Sequence, residues 1–305
     1  MRPKILAIFG PTASGKSAVA ESIANRIPAE LVSADSAQMY RGLPILTNQP
    51  SFPTHLVAIW GLDHEASVAE YQHLAHKTTD EVLERGNTPV VMGGTGLYFR
   101  AAVSALELPQ PPSPGVRQRW EQEYDRIGPE RAHALLAERD PRAALRVHMN
   151  DRRRVVRALE LAEAGASLEP DADRLWAADT RYPTLVVGLE VPGRELGRRV
   201  EERARAMLAA GVQEEARRAL AGPLSTTSQK ILGLREAAEL SPEEALAALT
   251  LRTRQLARYQ SKWMRRIPGL VSVAGDRPPG EIADEILEMA GRRKRLSADG
   301  RAARR

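Results

Sequence analysis

Cysteine is absent from all 305 residues, which excludes disulfides, thiolate metal sites and a thiol nucleophile. Aromatic residues make up only 4% of the chain, and no His, Asp or Glu cluster shows metal-ligand spacing. Long apolar runs are missing too. The N-terminal "MRPK" leads into an apolar stretch too short to span a bilayer and without a signal-peptide cleavage pattern. The expectation is a cytoplasmic protein with no membrane partner, most simply a monomer. The body also lacks an excess of either charge. Without the seven basic residues and one Asp of "GRRKRLSADGRAARR", the net charge of +5 falls to about −1. The basicity therefore belongs to the C-terminal end, read as a mobile arm, and a case for nucleic acid must rest on local clusters.

What is present is most distinctive in "IFGPTASGKSAVA", Ile8 to Ala20, where Gly10, Gly15, Lys16 and Ser17 spell G-x-x-x-x-G-K-S. At average residue usage this pattern arises in such a chain on the order of once in a hundred. It is preceded by a β-rich run from Lys4 and followed by a helical stretch to Arg26, the strand, loop and helix that a phosphate cradle requires. Backbone amides of Thr12, Ala13, Ser14, Gly15, Lys16 and Ser17 are expected to converge on anionic oxygens. Lys16 adds a point charge, and the Ser17 hydroxyl is placed for Mg²⁺.

Further apolar runs at Glu30 to Asp35, Pro89 to Gly94, Thr184 to Val191 and Gly269 to Gly275 alternate with helical stretches, as in an α/β fold with a parallel sheet flanked by helices. "PQPPSPG" then opens a polar, Arg-rich stretch. The division expected is a P-loop-type core over 1–108 and 183–285, a helical insertion domain over 109–182 and a basic tail over 286–305. Asp35 ends the second run, at the sheet edge where open α/β folds bind ligands, so it is expected to face the loop. There it suits water-mediated Mg²⁺ binding or proton acceptance, with a simple strand-end cap as the alternative. Ser36 and Gln38 beside it suit reading a base edge. The loop alone leaves a small-molecule kinase open, with lid arginines from "DRRRVVR". A non-catalytic RNA-binding protein is the other alternative.

Six motifs occur in order: "GPTASGKS", "SADSAQMYRG", "GGTGLYFRA", "NDRRRVVRALE", "ILGLREA" and "TRQLARYQSKWMRR". From residue 4 to about 275 the chain resembles the tRNA dimethylallyltransferases, also called tRNA isopentenyltransferases. The resemblance implies transfer of a dimethylallyl group from dimethylallyl diphosphate to N6 of adenosine 37 in the anticodon stem-loop of tRNA. It makes Asp35 the base, Lys16 and Arg203 the diphosphate ligands beside the loop, and Mg²⁺ the cofactor, with Arg199 a competitor for Arg203. Gly94, Thr95 and Gly96, with Tyr98, are expected to shape the diphosphate and prenyl channel. Contacts with tRNA are expected from Asp35, Ser36, Ala37, Gln38, Ala101, Arg153, Arg154, Arg157, Lys230, Gly233, Arg235, Arg254 and Arg258. The chain departs from the family pattern at Gln49 for a Lys, at Thr54 and Ala58 for a His and an Asp, and at Leu234 for a Tyr. The motif usually reading "AKRQ-TW" appears as "ARYQSKW". These departures bear on tRNA selectivity more than on reaction type.

Overall fold

A computed structural model describes residues 3–108, 115–168 and 174–302, without side chains at 174 and beyond 291. The chain divides into two compact units, one of Met1–Ala105 with Ala178–Arg305 and one of Leu106–Ala177.

The first unit is built on a six-stranded parallel sheet. Its strands are β1 (Ile5–Phe9), β2 (Ala29–Ser33), β3 (Thr54–His55), β4 (Thr88–Gly93), β5 (Thr184–Glu190) and β6 (Val271–Ala274), in the order β3-β2-β4-β1-β5-β6. All five residues of β1 are buried, which is why it reads as an unbroken apolar run rather than an alternating one. The two-residue β3 has too little apolar sequence to be legible. Because β2 and β4 lie on one side of β1 and β5 and β6 on the other, the chain reverses its winding beside the carboxyl end of β1.

Helices α1 (Lys16–Ala24), α2 (Val68–Glu84) and α3 (Gly96–Val103) accompany the first strands. One face of the sheet packs Leu6, Ile8, Val90 and Val187 against Val19 and Ile23 of α1. The expected tail boundary at 286 is corrected by this same cluster. Ile286 is fully buried in it, and Leu287, Met289 and Ala290 pack against it. The final helix, α12 (Pro279–Ala302), therefore begins as core. Residues 303–305 of the expected tail lie outside the described residues.

The second unit holds α4 (Val116–Ile127), α5 (Pro129–Arg139), α6 (Pro141–Arg146) and α7 (Arg152–Glu163) around Trp120, Tyr124, Leu136, Val155 and Leu159. Its ends, 106 and 177, fall a few residues before the expected 109 and 182. The Pro-rich 109–114 lies outside the described residues.

In the first unit the chain continues through α8 (Gly193–Ala209), α9 (Val212–Leu220), α10 (Leu234–Glu239) and α11 (Pro242–Met264). Pro242 at the first turn and the reciprocal Ser241 and Glu244 capping hydrogen bonds fix the start of α11. That helix supplies one wall of the site.

Candidate active site

The phosphate loop leaves the carboxyl end of the central β1 and turns into α1 at Lys16, as its spacing predicts. The turn uses two left-handed residues, Gly15 at φ 92° and Ala13 at φ 65°. A left-handed Ala is strained, costing about 1 kcal/mol, and such strain gathers at ligand-binding loops. Gly10 is needed for compactness, since a Cβ there would lie 2.7 Å from Ser14 Oγ. That hydroxyl is buried and has no hydrogen-bond partner.

Lys16 folds back over its own loop, its ammonium donating to the carbonyls of Gly10 and Pro11 at 2.8 Å each. Burial lowers its pKa to about 8, with Asp35 pulling it up and Arg203 pushing it further down. At neutral pH the group keeps its proton in a place that disfavours it, which is how a cation awaiting an anion is held. Asp35 lies two residues beyond the end of β2, and its Oδ1 accepts the Ala37 amide at 3.0 Å.

The rival arginines of α8 separate by geometry. Arg203 donates to Thr12 Oγ1 at 2.7 Å, while its buried Nε has no partner. Burial depresses its pKa, and Asp35 opposes the shift. Arg199 also lines the cleft but is tied to Glu195 at 2.7 Å and to the Gly275 carbonyl at 3.1 Å. Arg203 is therefore the guanidinium without a carboxylate hydrogen-bond partner. Thr12, Lys16, Ser17, Asp35 and Arg203 all line one cleft of about 400 Å³.

Gln260, a residue of α11 that is 4% exposed, has no local pattern that marks its role. Its Oε1 accepts the Thr12 amide at 2.7 Å, so the phosphate loop is pinned from a helix 248 residues away. Its place inside "ARYQSKW" was the one available signal. Thr47, Asn48, Met92 and Gly93 also line the cleft and were not anticipated.

Gly94, Thr95 and Gly96 do not line it. A Cβ at Gly94 would lie 2.5 Å from Gln260 Nε2, and one at Gly96 would run into the Trp263 indole. These glycines admit α11 to the site, and Thr95 stands at the N-cap position of α3 without a side-chain capping hydrogen bond. Tyr98 is half-buried 4.9 Å from the Tyr71 ring, and burial raises its phenol to about 12.

The Gln38 side chain, expected to read a base edge, lines the cleft and is also engaged inside the protein. Its Oε1 accepts from Ser33 Oγ and its Nε2 donates to the Asn48 carbonyl, both at 2.9 Å. Ser36 and Ala37 are half-buried beside it. Ala101 is fully buried inside α3 and offers no surface to a ligand. Gly233 is buried at φ 86° and starts α10. Arg153, Arg154, Lys230 and Arg258 are exposed and have no ion-pair partner among the described residues. Arg157 pairs with Glu160 at 3.0 Å, Arg235 with Glu239 at 3.4 Å and Arg254 with Glu201 at 3.3 Å.

Of the departures, Gln49 keeps a donor role, giving hydrogen bonds to the carbonyls of Gln38 and Tyr40 at 3.2 and 2.8 Å. Ala58 sits at φ 53°, a conformation an Asp tolerates better. Leu234 is fully buried.

Among the described residues no three His, Asp or Glu side chains converge on a metal position. Ser17 and Asp35 nevertheless share the cleft. One hydroxyl and one carboxylate, completed by diphosphate oxygens and water, match the way Mg²⁺ is usually held. The residues fit.

A strained glycine loop at the centre of a parallel sheet, faced by a carboxylate and a half-satisfied arginine, defines a P-loop-type α/β enzyme with a phosphate site. The IPP transferase family model matches residues 38–267, and the chain belongs to that family. It is 38% identical to the tRNA dimethylallyltransferase of Streptomyces coelicolor, over 90% of this chain and 91% of that one. It is 39% identical to the Moorella thermoacetica enzyme of the same name, over 86% and 87%. The crystal structure of a full-length tRNA isopentenylpyrophosphate transferase from Bacillus halodurans superposes with a TM-score of 0.69 at 28% identity, covering 98% of this chain and all of that one.

Proposed function

We propose that this enzyme transfers the dimethylallyl group of dimethylallyl diphosphate to N6 of adenosine 37 in tRNA and releases diphosphate. The observation that carries the reading is the shared cleft, where two cations without a carboxylate hydrogen-bond partner, Lys16 and Arg203, stand with one carboxylate, Asp35.

The N6 lone pair attacks the allylic C1, the C1–O bond breaks, and its electrons leave on the diphosphate. Asp35 accepts the proton lost from N6. Adenine N6 is a weak nucleophile because its lone pair is delocalised into the ring. Stabilising the leaving diphosphate therefore carries much of the barrier. Lys16, Arg203 and the amides of Thr12–Ser17 do this in a cleft where each such contact is worth about 3 kcal/mol. Mg²⁺, held by Ser17 with Asp35 through water, would supply further neutralisation of the diphosphate.

The adenine must leave its stack to reach the cleft, at a cost of a few kcal/mol. Phosphate contacts from exposed cations such as Arg153, Arg154, Lys230 and Arg258 offset that cost. No helix among the described residues is long and apolar enough to cross a membrane. In this proposal the enzyme works as a monomer in the cytoplasm beside its RNA.

The test is prenylation of an anticodon stem-loop with labelled dimethylallyl diphosphate, with adenosine 37 present or replaced. Label should appear only with adenosine 37. Production of ADP from ATP and a phosphate acceptor, with no label on RNA, would overturn the reading in favour of a kinase.

A further inference from the structure

Glu215 of α9 is only 3% exposed, and no step above uses it. No cation pairs with it among the described residues. Both carboxylate oxygens instead accept backbone amides from a distant segment, Oε2 from Ile45 at 2.9 Å and Oε1 from Leu46 at 2.8 Å. Those are early amides of a helical turn over 43–49, in which the Thr47 amide bonds to the Leu43 carbonyl at 3.1 Å and that of Gln49 to Pro44 at 3.0 Å. The carboxylate caps this turn as an N-cap residue would, but from another helix, and its charge strengthens both bonds.

The turn leads into the active site. Its Thr47 and Asn48 line the cleft, with Asn48 at φ 51°. The Asn48 carbonyl receives Gln38 Nε2, Gln38 Oε1 receives Ser33 Oγ, and Ser33 Oγ in turn accepts the Asp35 amide at 3.3 Å. An unbroken chain of hydrogen bonds thus runs from Glu215 through the turn to the backbone of Asp35. None of its links touches Lys16 or Arg203. We infer that Glu215 is a positioning residue for the acceptor side of the reaction, fixing Asp35 and the Thr47–Asn48 wall without contacting substrate. The inference rests on Asp35 as acceptor of the N6 proton.

The test compares the wild type with Glu215→Gln, whose near-identical shape preserves folding, checked by thermal unfolding. One Gln oxygen still accepts an amide, but its NH₂ faces the other donor. Affinity for inorganic diphosphate measured without Mg²⁺ should stay within about twofold. The kcat for transfer from dimethylallyl diphosphate to the stem-loop should fall about 10- to 100-fold, as displacements near 1 Å at a reacting group do. In an Asp35→Asn background the same change should cost little more, because both act on one step.

A wild-type kcat in Glu215→Gln, full additivity with Asp35→Asn, or diphosphate affinity falling in step with kcat would each overturn the inference. If the wild-type enzyme transferred nothing to the stem-loop, the proposed reaction itself would fall, and this inference with it.

Discussion

The cleft at the end of β1 and the helical unit over 106–177 handle their cations in opposite ways. In the helical unit several arginines are neutralised by carboxylates. Arg117 and Arg157 share the buried carboxylate of Glu160 at 2.9 and 3.0 Å, and Arg152 pairs with Asp125 at 2.7 Å. Arg119 pairs with Glu163. In the cleft Arg199 is paired with Glu195, but Lys16 is held by carbonyls and Arg203 by a hydroxyl, and Asp35 is the one carboxylate among the described lining residues. A paired surface arginine is worth little and says little about a ligand. A buried cation without a carboxylate hydrogen-bond partner is costly, and its cost is repaid when an anion binds. The difference separates a cleft ready for an anion from arginines that carboxylates already occupy, a distinction that a count of basic residues does not make.

The comparison breaks first at the cleft. Lys16→Ala and Arg203→Ala should each lower kcat/KM by about 10²–10³, with weakened diphosphate affinity in direct binding. Arg199→Ala should cost far less, since its charge is already paired with Glu195 and its Nη1 bonds to the Gly275 carbonyl. Equal losses at the two arginines would remove the distinction drawn between them. Next in size, Asp35→Asn should lower kcat at least about a hundredfold while leaving the affinity for diphosphate measured without Mg²⁺ intact, which separates a base from a direct diphosphate ligand.

The helical unit should respond differently. Glu160→Gln removes the shared partner of two arginines and should destabilise the protein by about 2 kcal/mol in denaturant unfolding, with little effect on kcat. Arg153→Ala with Arg154→Ala should weaken RNA binding and flatten its salt dependence by about one unit of slope per lost phosphate contact, without changing kcat at saturating RNA. An unchanged slope would return both residues to plain surface charge.

The smallest expected effect concerns acid stability outside both regions. The Arg85 guanidinium, with Asn87 and His55, holds the Glu30 carboxyl down to about 2 from an ordinary 4.5. Its contribution is complete above about pH 4.5 and is lost as pH falls toward 2. Glu30→Gln should therefore lower stability at pH 7 and make the remaining stability less dependent on pH across that window.

Much of the fold was legible because buried parallel strands are continuous apolar runs that alternate with helical stretches. The site was legible where chemistry sits in local spacing, as at Lys16, Ser17 and Asp35. Residues whose role depends on contact across the fold were not. Gln38 looked like a base reader and is also engaged inside the protein. Gly94 and Gly96 looked like channel walls and instead make room for Gln260 and Trp263. The boundary at 286 failed because a basic C-terminal composition masks an amphipathic helix whose first turns join the core.

The sequence by itself determined that a phosphate loop stands between a strand and a helix, because backbone amides, a glycine turn and a lysine are enough to state that chemistry locally. It also determined the order of motifs that places the chain in its family. Only the tertiary structure decided which arginine faces the loop, that α11 pins Thr12 through Gln260, and that Glu215 holds the turn behind Asp35. Those contacts join residues more than 160 positions apart. Their partners are chosen by packing and by the need to satisfy buried polar groups, and no local pattern records that choice.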